Sequence, residues 1–393
     1  MNPRQIFLQH IAQTSPEPIA LEIVKADGIY MYDTNGKKYI DGISGFSVAN
    51  IGHSHPKVVE AVQQQVAQYM HLIVYGEFIE QPQTAYAKLL TDNLPQTLNC
   101  VYFTNSGAEA VEGAMKLAKR ITNKSKIICF NKSYHGSTQG ALSLMGDEYW
   151  RNAFRPLLPD IHHYEYSSIE AIEAIDKNTA CVILEPLQAE AGVVKPNENW
   201  LKLIRQKCNE NCCLLVFDEI QTGFGRTGSL FAFEQFNVIP DVLLLGKALG
   251  GGMPLGAFIA NKKLMDTLTY NPVLGHITTF GGHPVSCVAG KAALEVLLES
   301  NWINEVEAKE NILKEKLQHY KIKKINTAGL WAAIEVEDFE TCKQVAHHCV
   351  KNGLITDWFL FASSSIRIAP PLCTTIEEIE TICSIVIQSL NAL

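Results

Sequence analysis

Apolar residues recur along the chain at two different spacings. Residues 55–70 and 105–120 carry apolar side chains at helical spacing, with Val111, Ala114, Met115 and Ala118 on one face of the second stretch. Short, mainly apolar runs rich in β-formers occur at residues 100–104, 126–130, 180–185, 213–219 and 241–246. These runs do not alternate with polar residues, as expected for strands that are covered on both faces. The pattern predicts an α/β domain built on a parallel sheet.

The two ends of the chain have a different pattern. The start reads as an exposed arm to about Pro18, followed by a hairpin that turns at Asn35-Gly36. Residues 289–320 read as one long helical stretch, and short strands and helices follow from about residue 320. We expect a large domain over residues 51–290. A smaller α+β domain is expected to combine the segments 1–50 and 291–393.

Composition and charge narrow the class of protein. The chain has 47% hydrophobic and 19% charged residues, which is typical of a globular enzyme. Its formal net charge of −8 argues against a nucleic-acid-binding surface. The N-terminal stretch lacks a basic start followed by a long apolar core, so no secretory signal is predicted. The longest apolar stretches are interrupted by glycines, Lys247 or Asp218, so no membrane span is expected.

Cysteine usage indicates the compartment. Eleven cysteines are scattered along the chain, several of them inside apolar runs, and they form no CxxC pair. We therefore expect free thiols in a reducing cytoplasm and no metal site.

Charged residues stand at the ends of three predicted core strands. Glu185 ends one strand, Asp218 and Glu219 end another, and Lys247 follows a third and precedes a run of three glycines. Because lysine is costly to bury, a lone lysine here would read as a surface residue. In open α/β sheets, however, ligands bind beyond the carboxyl ends of the strands. The pattern therefore predicts that Lys247 lies at the mouth of a site, facing carboxylates from neighbouring strands.

Two glycine-containing motifs could bind phosphate. Ser106-Gly107-Ala108 stands at a helix start, where free backbone N–H groups and the helix dipole favour an anion, although a plain helix cap has the same signature. The segment 223–228 matches G-x-G-x-x-G. A dinucleotide site is not expected there, because Asp218 and Glu219 occupy the strand end and would repel a pyrophosphate.

A lysine, an acid on an adjacent strand and an anion-binding helix start together indicate pyridoxal phosphate (PLP). A lysine amine forms a Schiff base with the aldehyde and needs a lowered pKa to be nucleophilic. A carboxylate that faces the pyridine nitrogen keeps it protonated, so that the ring can act as an electron sink. Lys247, Asp218 and the helix start at Ser106 supply these groups.

The motifs that carry this chemistry resemble those of the class III aminotransferases. They are "NSGAEAVEGAMKLAKR", "YHGST", "EPLQAEAG", "FDEIQTGFGRTG", "LGKALGGGMPLGA", "TTFGGHPVSCVAG" and "IRIAPPL", in the family's order from about Tyr30 to Leu372. The resemblance implies a fold type I PLP-dependent transferase. Such a protein has a mainly parallel seven-stranded sheet flanked by helices, a smaller α+β domain, and a homodimer with shared active sites.

The resemblance also implies a role for individual residues around the cofactor. Lys247 is the Schiff-base lysine and moves the substrate proton, and Asp218 pairs with the pyridine nitrogen. The other implied cofactor contacts are Ser106, Gly107 and Ala108 at the phosphate, Tyr134 and Ile220 on the two ring faces, Gln221 at the phenolic oxygen, and Thr279 at the partner subunit's phosphate.

For the substrate, the resemblance implies four further residues. Arg367 binds the substrate α-carboxylate as a bidentate pair, and Glu190 pairs with Arg367 when a donor with a terminal amine occupies the site. Phe46 and Thr278 contact the substrate.

Three positions depart from the ornithine and acetylornithine members of the family. Ser137 stands where these enzymes typically carry an arginine that helps to hold a second carboxylate. Ala189 replaces a glycine, and Phe46 replaces a tyrosine of the ornithine enzymes.

The expected activity is transfer of an amino group from an amino acid or ω-amine to a keto acid, in a ping-pong reaction. The alternatives are an aminomutase on the same fold, which needs no separate acceptor, and a binding protein without activity.

Overall fold

A seven-stranded mixed sheet forms the centre of the computed structural model, which describes residues 1–197 and 199–393. The strands are β1 (Ile23–Asp27), β2 (Tyr30–Asp33), β3 (Lys38–Asp41), β4 (Cys100–Thr104), β5 (Lys126–Phe130), β6 (Ile161–Tyr164), β7 (Thr179–Leu184), β8 (Leu214–Asp218), β9 (Val242–Leu245), β10 (Gly256–Ala260), β11 (Lys324–Thr327), β12 (Ala332–Glu335), β13 (Leu354–Ile355), β14 (Trp358–Phe359) and β15 (Ala362–Ile368). The helices are α1 (Pro3–His10), α2 (Ser44–Ser47), α3 (Pro56–Gln68), α4 (Gln81–Asp92), α5 (Gly107–Thr122), α6 (Gln139–Ser143), α7 (Glu148–Arg151), α8 (Ile169–Glu173), α9 (Trp200–Glu210), α10 (Phe233–Phe236), α11 (Lys262–Met265), α12 (Pro284–Glu299), α13 (Trp302–Lys316), α14 (Phe339–Lys351) and α15 (Ile376–Asn391).

The strand order of the large sheet is β4-β10-β9-β8-β7-β5-β6. The five strands from β9 to β6 are parallel to their neighbours, whereas β10 runs antiparallel to both β9 and β4. The prediction of a mainly parallel seven-stranded sheet is confirmed. The carboxyl ends of β7, β8 and β9 therefore lie side by side at one edge.

Both faces of the sheet are covered, which explains why its strands are apolar without alternation. Val182 and Leu184 of β7 pack into a core shared with α9 and α12, whereas Cys181 and Ile183 pack into a second core under α5. Each such side chain contributes about 1.5–3 kcal/mol when it is fully buried.

Helix α5 begins where the sequence predicts. Ser106 is its N-cap and accepts a hydrogen bond from the backbone N–H of Glu109, and the left-handed Asn123 ends it. The predicted face of Val111, Ala114, Met115 and Ala118 is buried.

The prediction of a single helical stretch over residues 289–320 is wrong. Two helices, α12 and α13, occupy this region, and Ser300 and Asn301 separate them. Ser300 has an extended backbone, and its hydroxyl accepts a hydrogen bond from the N–H of Trp302. A serine that satisfies the first N–H groups of a following helix competes locally with helix continuation.

Two four-stranded sheets are formed by the chain ends, in the orders β1-β2-β3-β13 and β11-β12-β15-β14. The predicted hairpin joins β2 to β3, and the Asp33 carboxylate accepts hydrogen bonds from the N–H groups of Asn35 and Lys37 at its turn. Strand β13 lies parallel to β3, so the N- and C-terminal segments share a sheet. The domain limits at residues 50 and 290 stay predictions.

The predicted N-terminal arm contains α1, which buries none of its residues. Across the described ranges, no helix is both long and apolar enough to cross a membrane.

Candidate active site

Three parallel strands bring the charged residues of the sequence to one edge of the sheet. Glu185 follows β7, Asp218 ends β8, and Lys247 follows β9 by two residues. Since β8 pairs with both β7 and β9, these ends are neighbours. Lys247 has a left-handed backbone (φ 48°) and begins a tight 3-10 turn, so the chain bends at the lysine. The strand pairing therefore places Lys247 beside a strand end that carries a carboxylate, and the role of Lys247 stays a prediction.

Glu219 points away from this edge. Its carboxylate accepts hydrogen bonds from the backbone N–H groups of Ala232 (2.6 Å) and Phe233 (2.7 Å). Burial raises the pKa of Glu219 to about 7. Of the two adjacent acids, Asp218 alone takes part in the site.

The N-terminus of α5 packs directly against the ends of β8 and β9. A Cβ on Gly107 would lie 2.6 Å from the Ile220 side chain, and a Cβ on Gly246 would lie 3.3 Å from the Cα of Gly107. A larger residue at position 107 would therefore force the Ile220 side chain to move. Gly107 and Ala108 are in the first turn of α5, where backbone N–H groups have no intrahelical partner.

Asp218 is held by its own backbone and by a buried histidine. One carboxylate oxygen accepts from the Ile220 N–H (3.0 Å), and the other lies 2.6 Å from Nδ1 of His135. Because an ionised carboxylate only accepts, the imidazole donates. Burial alone would lower the pKa of His135, but the hydrogen bond and charge of Asp218 outweigh it and raise the pKa.

Lys247 lies in a setting that favours its neutral amine. Burial lowers the pKa of Lys247 to about 8, because the charges of Glu190, Asp218 and Glu185 only partly offset desolvation. A lysine with a lowered pKa is the form that attacks a carbonyl group.

Arg367 and Glu190 form a bidentate ion pair in the interior. Nη1 and Nη2 of Arg367 donate to the two carboxylate oxygens of Glu190 at 2.8 and 2.9 Å. Burial alone would raise the pKa of Glu190, but the charge and hydrogen bonds of Arg367 lower it to about 2. The same carboxylate accepts from the Gln221 amide (3.1 Å), which links the pair to the end of β8.

Further groups hold Arg367 on its remaining sides. Its Nε donates to Asp357 (3.0 Å), and its Nη2 also donates to the Trp358 carbonyl (3.1 Å). The guanidinium lies 4.3 Å from the ring centre of Phe359 and 5.2 Å from that of Phe46. Phe46 has a left-handed backbone, and its side chain remains half exposed. Aromatic faces at these distances stabilise a desolvated cation.

The loop that carries Tyr134 is tied to the loop that carries Glu190. Glu185 accepts from the N–H of Tyr134 (3.3 Å) with one oxygen and from the N–H of Ala189 (2.8 Å) with the other. Burial raises the pKa of Glu185 to about 8. The Tyr134 hydroxyl lies 3.1 Å from that of Ser137, which is exposed.

Thr278 and Thr279 lie on a surface segment beside the start of α5. The Thr278 hydroxyl accepts from the Asn105 amide (2.9 Å), whereas Thr279 is exposed. A contact between Thr279 and a partner subunit stays a prediction.

The residues present fit pyridoxal phosphate. The Gln221 Oε1 and the His135 Nε2 are buried polar atoms that have no partner among the described residues. Buried polar atoms of this kind require a partner. A carboxylate, a lysine with a lowered pKa and a helix start with free N–H groups surround the same space, and this is the donor set that the cofactor needs.

Sequence reasoning missed one charged residue of the site. Asp357 precedes β14 and reaches Arg367 because the β14–β15 hairpin folds back on itself. Its only sequence signal is an acid among apolar neighbours, which does not reveal the pairing.

Comparisons with known proteins agree with this geometry. A family model described as aminotransferase class-III matches residues 11–390. The acetylornithine aminotransferase of Methanopyrus kandleri is 38% identical over 388 residues, which cover 98% of this chain and 97% of that protein. The ornithine aminotransferase of Toxoplasma gondii, crystallised with partial occupancy of PLP at its active site, superimposes with a TM-score of 0.91 at 30% identity, covering 99% of this chain and 93% of that one. A transaminase from the marine bacterium Virgibacillus gives a TM-score of 0.92 at 25% identity, covering 99% of this chain and 98% of that one.

Proposed function

Because this chain belongs to the class III aminotransferases, we propose that its site transfers an amino group from a donor with a terminal amine to a keto acid with one carboxylate. The chain is a PLP-dependent transaminase of fold type I. The proposed substrates and residue roles rest on the Arg367–Glu190 ion pair.

The bound cofactor supplies an aldehyde that accepts the amino group and a ring that withdraws electrons. Lys247 holds the cofactor in the resting enzyme and then, as a free amine, removes and returns the proton at the substrate carbon. With the cofactor bound, Asp218 would face the pyridine nitrogen and keep it protonated. His135, through its hydrogen bond to Asp218, keeps that carboxylate oriented.

The remaining cofactor contacts follow from the packing around Lys247. Ser106, Gly107 and Ala108 offer the phosphate a helix start, and Ile220 lies directly against Gly107. Tyr134 would lie on the opposite ring face from Ile220, and Gln221 would reach the phenolic oxygen. Thr279 would complete the phosphate site of a second subunit.

The ion pair provides a way to accept two unlike substrates. With a donor whose reacting carbon carries no carboxylate, as when a terminal amine is transferred, Glu190 stays on Arg367 and no buried charge is left unpaired. With a keto acid, the substrate carboxylate replaces Glu190, and Gln221 can retain the displaced side chain. Phe46 and Thr278 line the approach.

Two observations support this substrate class. Ser137 offers a neutral hydroxyl, already close to that of Tyr134, rather than a second cation for a dicarboxylate. The ornithine aminotransferase to which the chain is similar acts on an amino acid that carries a terminal amine.

Single-turnover measurements of the two half-reactions test the proposal. Arg367→Ala is expected to slow the keto-acid half at least about a hundredfold, since a lost bidentate charged pair costs about 3 kcal/mol or more. Glu190→Gln is expected to reduce the preference for terminal-amine donors over α-amino acids. Equal slowing of both halves in both variants would overturn the exchange of carboxylates. Turnover of a donor without any keto acid would instead indicate an aminomutase.

A homodimer is proposed because the apolar surface formed by residues 70–79 and 270–280 is exposed in a single chain. Ile79 is 94% exposed and Phe280 is 53% exposed. The His71 and Phe280 rings, 4.8 Å apart, join the two segments into one surface, which includes Thr279. Exposed apolar surface of this extent marks an interaction site.

Eleven free cysteines, most of them buried, support a cytoplasmic location.

A further inference from the structure

Arg367 contacts two carboxylates, and the exchange described above uses only one of them. Glu190 occupies both terminal nitrogens, and Asp357 occupies Nε at 3.0 Å. Asp357 therefore stays bound to the guanidinium when Glu190 leaves.

We propose that Asp357 is a positioning and specificity-determining residue, which keeps Arg367 aligned during the exchange and limits the pocket's affinity for carboxylates. This inference rests on the proposed role of Arg367 as the carboxylate-binding residue.

The alignment follows from the geometry of the guanidinium. Once Glu190 is displaced, the Trp358 carbonyl and Asp357 are the hydrogen-bond acceptors that remain on Arg367 among the described residues. These two acceptors hold Nε and one edge of the planar guanidinium, while the rings of Phe46 and Phe359 lie near the guanidinium. An arginine fixed in this way presents its free edge to an incoming carboxylate without losing side-chain entropy at that moment.

The limit on affinity follows from the charges. A keto acid adds a third carboxylate to the cluster around Arg367, because Gln221 keeps the displaced Glu190 close by. Repulsion from Asp357 therefore opposes the arriving carboxylate, and a donor whose reacting carbon carries no carboxylate does not meet it. In the resting enzyme, the repulsion between Glu190 and Asp357 is offset because Arg367 forms an ion pair with each of them.

Protonation of Asp357 should relieve this repulsion. Burial and the charge of Glu190 raise the pKa of Asp357, whereas the charge and hydrogen bond of Arg367 lower it. The resulting pKa is about 6. The groups that face it are Arg367 on β15, Glu190 after β7 and the Cys342 thiol of α14, whose pKa burial raises to about 12. Neither Arg367 nor Cys342 titrates near pH 6, and the low pKa of Glu190 keeps that side chain ionised there. As the pH falls through about 6, Asp357 becomes neutral and keto-acid binding strengthens.

Two substitutions of Asp357 separate alignment from charge. Asp357→Asn keeps an oxygen that accepts from Nε but removes the charge, whereas Asp357→Ala removes both. With pyruvate as the keto acid, Asp357→Asn is expected to lower the KM of that half-reaction by roughly tenfold above pH 6, which corresponds to about one pK unit of interaction. The KM of the variant should then no longer fall as the pH drops through 6. Asp357→Ala should raise the KM, because Arg367 loses its alignment.

The control is Asp241→Asn. Asp241 binds Arg205 (2.7 Å) and the N–H of Leu215 at the opposite end of β8, so it matches Asp357 as a carboxylate paired with arginine. It should lower thermal stability without changing the ratio of the two half-reactions. If the Asp357→Asn and wild-type pH profiles of KM superimpose, or if Asn and Ala have the same effect, the inference is overturned.

Arg367→Ala keeps the two proposals distinguishable. A large loss of pyruvate binding in Arg367→Ala together with unchanged profiles in the Asp357 variants refutes the role of Asp357 alone. Unchanged pyruvate binding in Arg367→Ala refutes the proposed function itself.

Discussion

At the scale of single residues, the site depends on charges that are held in an interior at unusual pKa values. The pKa of Lys247 is lowered to about 8, and that of Glu190 is lowered to about 2. Burial acts on both residues, but Glu190 has a bidentate partner, whereas Lys247 forms no ion pair with the residues that the structure describes. Burial therefore favours the neutral lysine, whereas pairing keeps the glutamate ionised.

Capture of the cofactor by the apoprotein should depend on the ionisation of Lys247. We expect the rate of covalent capture to rise with pH and to level off above about 8, because only the neutral amine attacks the aldehyde. Stopped-flow absorbance across the pH range measures the rate. Borohydride reduction followed by peptide mapping should place the cofactor on Lys247, and a label on another lysine would refute the assignment.

Asp218 should matter for proton removal more than for cofactor retention. Asp218→Asn removes the charge that stabilises a protonated pyridine nitrogen, so we expect the rate of substrate deprotonation to fall at least about a thousandfold. Cofactor affinity, measured by equilibrium dialysis, should change much less, since the phosphate and Lys247 contacts remain. Near-normal single-turnover rates in this variant would contradict the role.

At the scale of secondary structure elements, close packing between α5 and the sheet positions the phosphate-binding end of the helix. A Cβ on Gly113 would lie 2.3 Å from the ring of Phe258 on β10. At the helix start, Gly107 makes the same kind of close approach to Ile220. The helix therefore sits as close to the strands as two glycines allow, which brings its first N–H groups beside Lys247.

Gly113→Ala should destabilise the fold even though alanine favours helices. The gain in helix propensity is about 1 kcal/mol, and overpacking against Phe258 costs about 1–3 kcal/mol. We expect a lower free energy of unfolding in denaturant titrations. Phe258→Leu should cost less in the Gly113→Ala background than in the wild type, and simple additivity of the two changes would argue against the clash.

At the scale of the whole molecule, one chain leaves an apolar surface uncovered next to its own active site. Residues 70–79 and 270–280 contribute this surface, and Thr278 connects it to Asn105 before α5. A second copy that covers the surface would also enclose the cofactor site. Assembly and cofactor binding should therefore be linked.

Ile79→Asp should dissociate the proposed dimer and weaken cofactor binding. Ile79 is 94% exposed, so in a single chain the change should alter stability by no more than about 0.5 kcal/mol. In a dimer it would bury an unpaired charge. Sedimentation velocity should show a shift towards monomer for Ile79→Asp, and no shift for the control Tyr320→Asp, whose side chain is 84% exposed outside the apolar surface. A wild-type protein that is monomeric and active would refute the dimer.

The sequence alone determined five strands of the large sheet (β4, β5, β7, β8 and β9), the start of α5 and the charged strand ends, because these depend on local patterns. An apolar run without alternation requires two covered faces, and a lysine placed between such a run and three glycines has few structural explanations. Motifs in the family's order then identified Asp218, Lys247, Glu190 and Arg367 as candidates.

Tertiary structure decided which of these groups meet and how they are charged. Arg367 and Glu190 are 177 positions apart, and His135 and Asp218 are 83 apart, so no local pattern records either contact. Distant or competing hydrogen bonds also decide three other features. They turn Glu219 away from the site, separate α12 from α13, and bring Asp357 to Arg367. Hydrogen bonds and desolvation act over a few ångströms in space, and only the folded chain sets those distances.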